Sequence, residues 1–235
     1  MTSRALLDRD LDAAWMDYAL ALPDISNVVA ARSALNEMLL HTHLGETARQ
    51  KTVTAIARTW VSPDGDARPL LDSARASHRD RHPDPVVHLG LLLASQRFFL
   101  DLLDVTGRSM LGQEDVSTID LRRRMKQIWG TRRSVEIAVQ RSVKTMRSIG
   151  ILHGQPSRSI STRGSLTVHD PEFAMWLLAC LLVGRGVTSI DEHDARHAAE
   201  LFAVHLPKSL PARSPWVTRH TEGGGRHVFV LDLPR

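Results

Sequence analysis

A chain of 235 residues, 43% hydrophobic and with a formal net charge of +4, is long enough to bury a sizeable core in one large domain or two small ones. Its only cysteine, Cys180 in the apolar run FAMWLLACLL, excludes a disulfide framework and reads as a buried structural thiol in a reducing compartment. The acidic N-terminal stretch lacks the apolar core of a signal peptide, and the apolar runs fall short of the about 20 residues that span a bilayer, so the expectation is a cytoplasmic protein with no membrane partner.

Residues 4–22 carry Leu7, Leu11, Ala14, Trp15, Tyr18 and Leu22 at three- and four-residue spacing, which predicts a helix stopping at Pro23. A second helix is expected over 26–40. ETARQKTVTAIARTW forms a third, ending before the turn formers SPDGDARP, and residues 67–79 form a weak fourth. After RHPDP, the stretch VVHLGLLLASQRFFLDLL predicts one long helix, apolar around most of its circumference and central to the core. Together these make a helical N-terminal region over 1–105.

The charge is unevenly placed. Through Val116 there are 12 Lys+Arg against 16 Asp+Glu, from Ser117 to His169 there are 11 against 2, and from Asp170 onward 7 against 8. All the net basicity therefore falls in one segment, and polyanions are its natural partner. Ser117 and Asp120 suit a helix start, with Leu121, Met125, Ile128 and Trp129 on one side and Arg122, Arg123, Arg124 and Lys126 elsewhere. Gly130 permits a sharp turn. Ser134 is placed to cap a following helix, in which Val135, Val139, Val143, Met146 and Ile149 make one stripe. Ile137, Gln140, Arg141, Lys144 and Ser148 lie opposite, with Arg147 toward one edge. Gly150 stops this helix, and ILHG and SLTVH read as two short strands joined by the polar loop QPSRSISTR with Arg158 and Arg163. Helix, turn, helix and hairpin over 106–169 is the order of a winged helix-turn-helix. Such a unit would place Arg132, Arg133, Gln140, Arg141 and Lys144 in the DNA major groove, with the wing arginines on phosphate.

The last region, 170–235, reads as helices and a hairpin packed on the rest. Asp170 and Pro171 start the helix EFAMWLLACLLVG, Ser189 and Glu192 suggest a capping box, and WVTRH and RHVFVLDL pair around TEGGG. Arg219, His220, Arg226 and His227 are near that turn, where an edge hairpin is favoured over a second DNA contact. His193 and His197, at i and i+4, lack an HExxH pattern and read as surface histidines, so no metal is expected. No phosphate loop, dinucleotide fingerprint or nucleophile elbow is present, and no cofactor, small-molecule substrate or catalysis is expected.

The order of ETARQKTVTAIARTW, LGLLLASQRFFLDLL and WGTRRSVEIAVQRSVKTMRSIGIL resembles the BrxA family of BREX phage-defence systems over about residues 28–185, in layout and apolar pattern. The resemblance implies a mainly α fold with a small β component and a non-catalytic, DNA-binding accessory role, with double-stranded DNA and other defence-system proteins as partners. The same basic module also fits a winged-helix transcriptional regulator, or a structural subunit docking an acidic protein or RNA.

Overall fold

The computed structural model describes residues 6–78, 84–154 and 159–233, and the chain is mainly helical with small sheets. The first helix starts later than its spacing predicts: α1 is Ala13–Ala21, capped by Asp12, whose carboxylate accepts the Ala14 N–H. Residues 6–12 are not helical, and the end of this segment is docked on a later part of the chain. Leu11 N–H donates to Thr145 Oγ1 (2.9 Å) and Ala13 N–H to Ser148 Oγ (2.8 Å), while Leu7 and Leu11 are buried in the core. Tyr18, expected on the apolar stripe, is exposed.

Helices α2 (Val28–Leu40), α3 (Glu46–Trp60) and α4 (Ala67–His78) follow as the sequence predicts. The long apolar helix expected next is two: α5 (Pro85–Ser95) and α6 (Arg97–Ser109), bent by 114°. At the break Gln96 leaves helical geometry (φ −120°, ψ 88°), and its buried amide donates to Thr59 Oγ1 at 2.8 Å. Both helices line the same core, so the apolar run continues across the bend. In that core His88 joins three helices, accepting from Trp60 Nε1 on Nδ1 (3.2 Å) and facing Asp17 through Nε2 (2.8 Å).

Two units of like strand order complete the fold, each a strand, two helical segments and a closing hairpin. In the first, strand β1 (Asp115–Ser117) runs straight into α7 (Thr118–Trp129). Helix α8 (Arg133–Ser148) follows, then strands β2 (Leu152–His153) and β3 (Ile160–Arg163). The sheet is antiparallel with order β1-β3-β2. The hairpin therefore closes differently from expectation. Its second strand is ISTR, inside the stretch read as loop, because Ser161 turns inward and is buried while its neighbours face out. SLTVH instead contains β4 (Leu166–Thr167), which pairs in parallel with β6 (Val204–His205) and so links the two units.

Helix α9 (Pro171–Arg185), capped by Asp170, leads into the second unit. It packs on α5 at close range. A Cβ at Gly90 would fall 2.5 Å from the Trp176 ring, and one at Gly184 would fall 2.2 Å from Leu93 O. Strand β5 (Ser189–Asp191), helix α10 (Glu192–Arg196), the short 3-10 turn Ala199–Leu201, and strands β7 (Val217–Thr221) and β8 (His227–Leu231) make a sheet of order β5-β8-β7. Ser189 thus lies in a strand, and the cap expected of it is supplied by Asp191, which accepts the His193 N–H at 2.7 Å. The hairpin around the glycines forms as expected, with Gly224 and Gly225 at positive φ.

One continuous apolar cluster runs from Leu7 to Phe229 through all three regions. Cys180 is fully buried, and burial pushes its thiol well above its ordinary value. Among the described residues no single helix is long and apolar enough to cross a membrane.

Candidate nucleic-acid interface

The basic segment builds its surface from the turn between α7 and α8. Ser117 caps α7 by accepting the Ile119 N–H, and Gly130, at φ 87°, ends it while its N–H returns to Lys126 O. Only three residues then separate the helices. Val135, Val139, Val143, Met146 and Ile149 are all buried, as the stripe predicts, with Ala138, Ser142 and Thr145 beside them. At 100° per residue Arg133, Ile137, Gln140, Arg141, Lys144 and Ser148 fall within roughly 100° of one another, with Ser134, Glu136 and Arg147 flanking them. That outer face carries three cations, an amide, a hydroxyl and one exposed aliphatic, Ile137, at 39% exposure.

The expected site residues divide into three groups. Arg132, Arg133 and Gln140 are exposed and form no hydrogen bond or ion pair among the described residues. Arg124, on the exposed side of α7, behaves the same way and belongs with them, although the sequence reading left it out of the site. Ser134 is exposed too, but it does not cap α8. The cap position is Arg132, without a side-chain hydrogen bond, because the turn after Gly130 is two residues shorter than a Ser134 cap needs.

In the second group each cation is already held by protein. Arg123 pairs with Asp120 at 2.9 Å on α7. Lys126 pairs with Glu136, and that hydrogen bond, then its charge, hold the Glu136 carboxyl below its ordinary value. Arg141 Nη1 and Lys144 Nζ (3.4 Å) converge on the two oxygens of Asp10. Partial burial opposes ionisation of Asp10, but the Arg141 hydrogen bond, a backbone hydrogen bond and the two positive charges outweigh it, so its carboxyl lies below the ordinary value. Asp10 is the residue sequence reasoning missed. It lies 131 positions from Arg141, and no local pattern connects them.

The third group fastens the sheet. Arg147 donates through Nε and Nη2 to Ser161 Oγ (3.2 and 2.7 Å) and through Nη2 to Ile160 O (3.3 Å), and burial lowers its guanidinium from the ordinary value. Arg163 Nη2 donates to Met110 O at 2.8 Å. Arg122 is half-buried, with Nε lacking a partner. Arg158 lies outside the described residues.

Elsewhere, the His193 and His197 rings lie 4.3 Å apart between centroids and tilted by 32°, and no group of three or more metal-ligating side chains occurs among the described residues. In the C-terminal hairpin Arg226 is held by Asp191 (2.8 Å) and Arg219 by Glu192 (3.7 Å). No protein-family model, curated protein or solved structure matches the chain.

Proposed function

We propose that this chain is a non-catalytic DNA-binding protein whose first β-α-α-β-β unit acts as a winged helix-turn-helix, with α8 as the recognition helix and β2–β3 as the wing. The observation that carries the reading is the outer face of α8 and its preceding turn. Arg132, Arg133 and Gln140 stand in solvent there, without a hydrogen bond or ion pair among the described residues. A helix of 16 residues presenting such a face fits the major groove, where Gln pairs with adenine while arginines of the preceding turn and helix start hold the backbone phosphates. The order helix, strand, helix, helix, two strands, with the third strand central, agrees with this assignment. Layout resemblance to the BREX accessory family makes a phage-defence role, beside other proteins of such a system, the setting we favour over a transcriptional regulator.

A second reading has its own observation. Asp10 already seats a carboxylate between Arg141 and Lys144, so the same face could dock an acidic protein. Fluorescence anisotropy with labelled duplex DNA, duplex RNA and an acidic peptide, across a salt series, separates the two. Duplex DNA binding should weaken with salt at a log–log slope of about −0.9 per phosphate contact. Absence of duplex binding at low salt, or preference for the peptide, would overturn the DNA reading.

A further inference from the structure

We infer that Asp10 is a built-in competitor for phosphate at the C-terminal half of the recognition helix: its carboxylate holds Arg141 and Lys144 when no nucleic acid is present, and a backbone phosphate displaces it. The inference rests on the DNA-binding reading and assigns a regulatory role within the same site.

Three features carry it. Arg141 and Lys144 sit one turn apart on α8 and aim at a single anion, one cation on each Asp10 oxygen. A phosphodiester, with two free oxygens and one negative charge, presents the same pair of acceptors. Second, the carboxylate is delivered by a tethered segment. Leu7 and Leu11 are buried, and two backbone N–H groups of the segment donate to Thr145 and Ser148 on α8. The side chain can therefore give way while the backbone stays docked. Third, the contact is a half-exposed one. Asp10 is 35% exposed, Arg141 36% and Lys144 49%, and ion pairs this open are worth little, so exchange for phosphate is within reach. Arg9 Nε beside it is buried without a hydrogen-bond partner, so the segment docks at some cost.

The arrangement divides α8. Its N-terminal half, with Arg133, Ile137 and Gln140, is open, whereas Arg141 and Lys144 are screened until a ligand with enough charge arrives. Screening of this kind lowers affinity for any polyanion. Asp10→Asn tests it, because the amide can still accept a hydrogen bond from Arg141 while the charge is gone. Asp8→Asn is the control: it makes the same change in net charge two residues away, where the carboxylate faces Arg9, at 3.9 Å, rather than Arg141 or Lys144.

Anisotropy with a labelled duplex at low salt should show Asp10→Asn binding about two- to fivefold tighter than wild type, the range an exposed pair provides. The control should change less. In an Arg141→Ala/Lys144→Ala background the gain should vanish, since the cations it frees are absent. Equal tightening by the two asparagine variants, a gain that survives the double alanine background, or weaker binding by Asp10→Asn would each overturn the inference. If wild type binds no duplex at all, the DNA-binding reading fails first and takes this inference with it. Thermal melts of each variant establish that it folds.

Discussion

The two units that begin at β1 and β5 share a plan and differ in what they do with the chain after the first helix. Each begins with a three-residue strand whose last residue caps the next helix, Ser117 in one and Asp191 in the other. Each ends in a hairpin whose second strand is central to the sheet. In the first unit the next element is α8, 16 residues long with one open face. In the second it is a 3-10 turn at Ala199–Leu201, with Glu200 and Leu201 each 4% exposed. Glu200 there takes two hydrogen bonds from Arg185 (2.8 and 2.6 Å), and a Cβ on Gly107 of α6 would fall 1.9 Å from Ala199 O. The same topology serves as a surface in one place and as packing in the other. What separates them is burial of one segment, which strand order does not determine.

Substitutions should break the units in different ways, and the largest effects fall on buried positions. Val139→Asp puts an unpaired carboxylate on the core side of α8 and should cost at least about 4 kcal/mol, enough to unfold or aggregate the protein. Gln140→Asp, one residue on, adds the same charge to the exposed face and should melt like wild type while weakening duplex binding. A Val139→Asp protein that melts normally would mean α8 is turned the wrong way.

In the second unit, Glu200→Ala removes the buried partner of Arg185. Loss of one member of such a pair costs about 3–5 kcal/mol when both are buried. Arg185 is 28% exposed, which brings the expected loss to about 2 kcal/mol after allowing for water at the guanidinium. Chemical denaturation should register it. Duplex affinity measured on the remaining folded protein should be unchanged, because this segment faces α6 rather than solvent. A DNA-binding defect without loss of stability would put the second unit in the interface.

How much of this was legible in the sequence follows from the range of each interaction. The helices α7 and α8, the turn at Gly130 and the stop at Gly150 are set by local periodicity and by glycines at positive φ, and the stripe of five residues on α8 is buried as its spacing requires. Strands β1 and β3 escaped because they are three and four residues long and largely polar, DVS and ISTR. SLTVH has the better strand pattern but pairs with β6, a partner 38 residues away at Leu166↔Val204. The bend at Gln96 was hidden by an apolar run that continues on both sides. Asp10 was invisible for the same reason as β6. Its partners are chosen by the tertiary fold.

At the turn the expected effect is on binding alone. Replacing Arg132 and Arg133 together by Ala removes two solvent-facing cations that form no hydrogen bond or ion pair among the described residues, so the melting temperature should stay within the small range of surface substitutions. The log–log salt slope should fall by about 1.8, at about 0.9 per phosphate contact. An unchanged slope would move these arginines off the phosphate backbone and onto base edges, where loss would instead depend on sequence.

The smallest expected effect concerns Ile137, the one apolar side chain on the open face of α8, between Arg133 and Gln140–Arg141. At 39% exposure it contributes little to the core, and Ile and Ser have similar helix propensity, so Ile137→Ser should change stability by less than about 0.5 kcal/mol. Its place beside Gln140 is the one from which an aliphatic group reaches a thymine methyl in the major groove while the amide pairs with adenine. Losing one methyl-sized contact, about 0.8 kcal/mol, corresponds to about fourfold in affinity. That loss should appear on A·T-rich duplexes and be absent on duplexes of G·C pairs alone, which carry no such methyl. Equal loss on both, or none on either, would leave α8 a binder of phosphate without a base-reading face, and would make its open half resemble the packed second unit in carrying no sequence information.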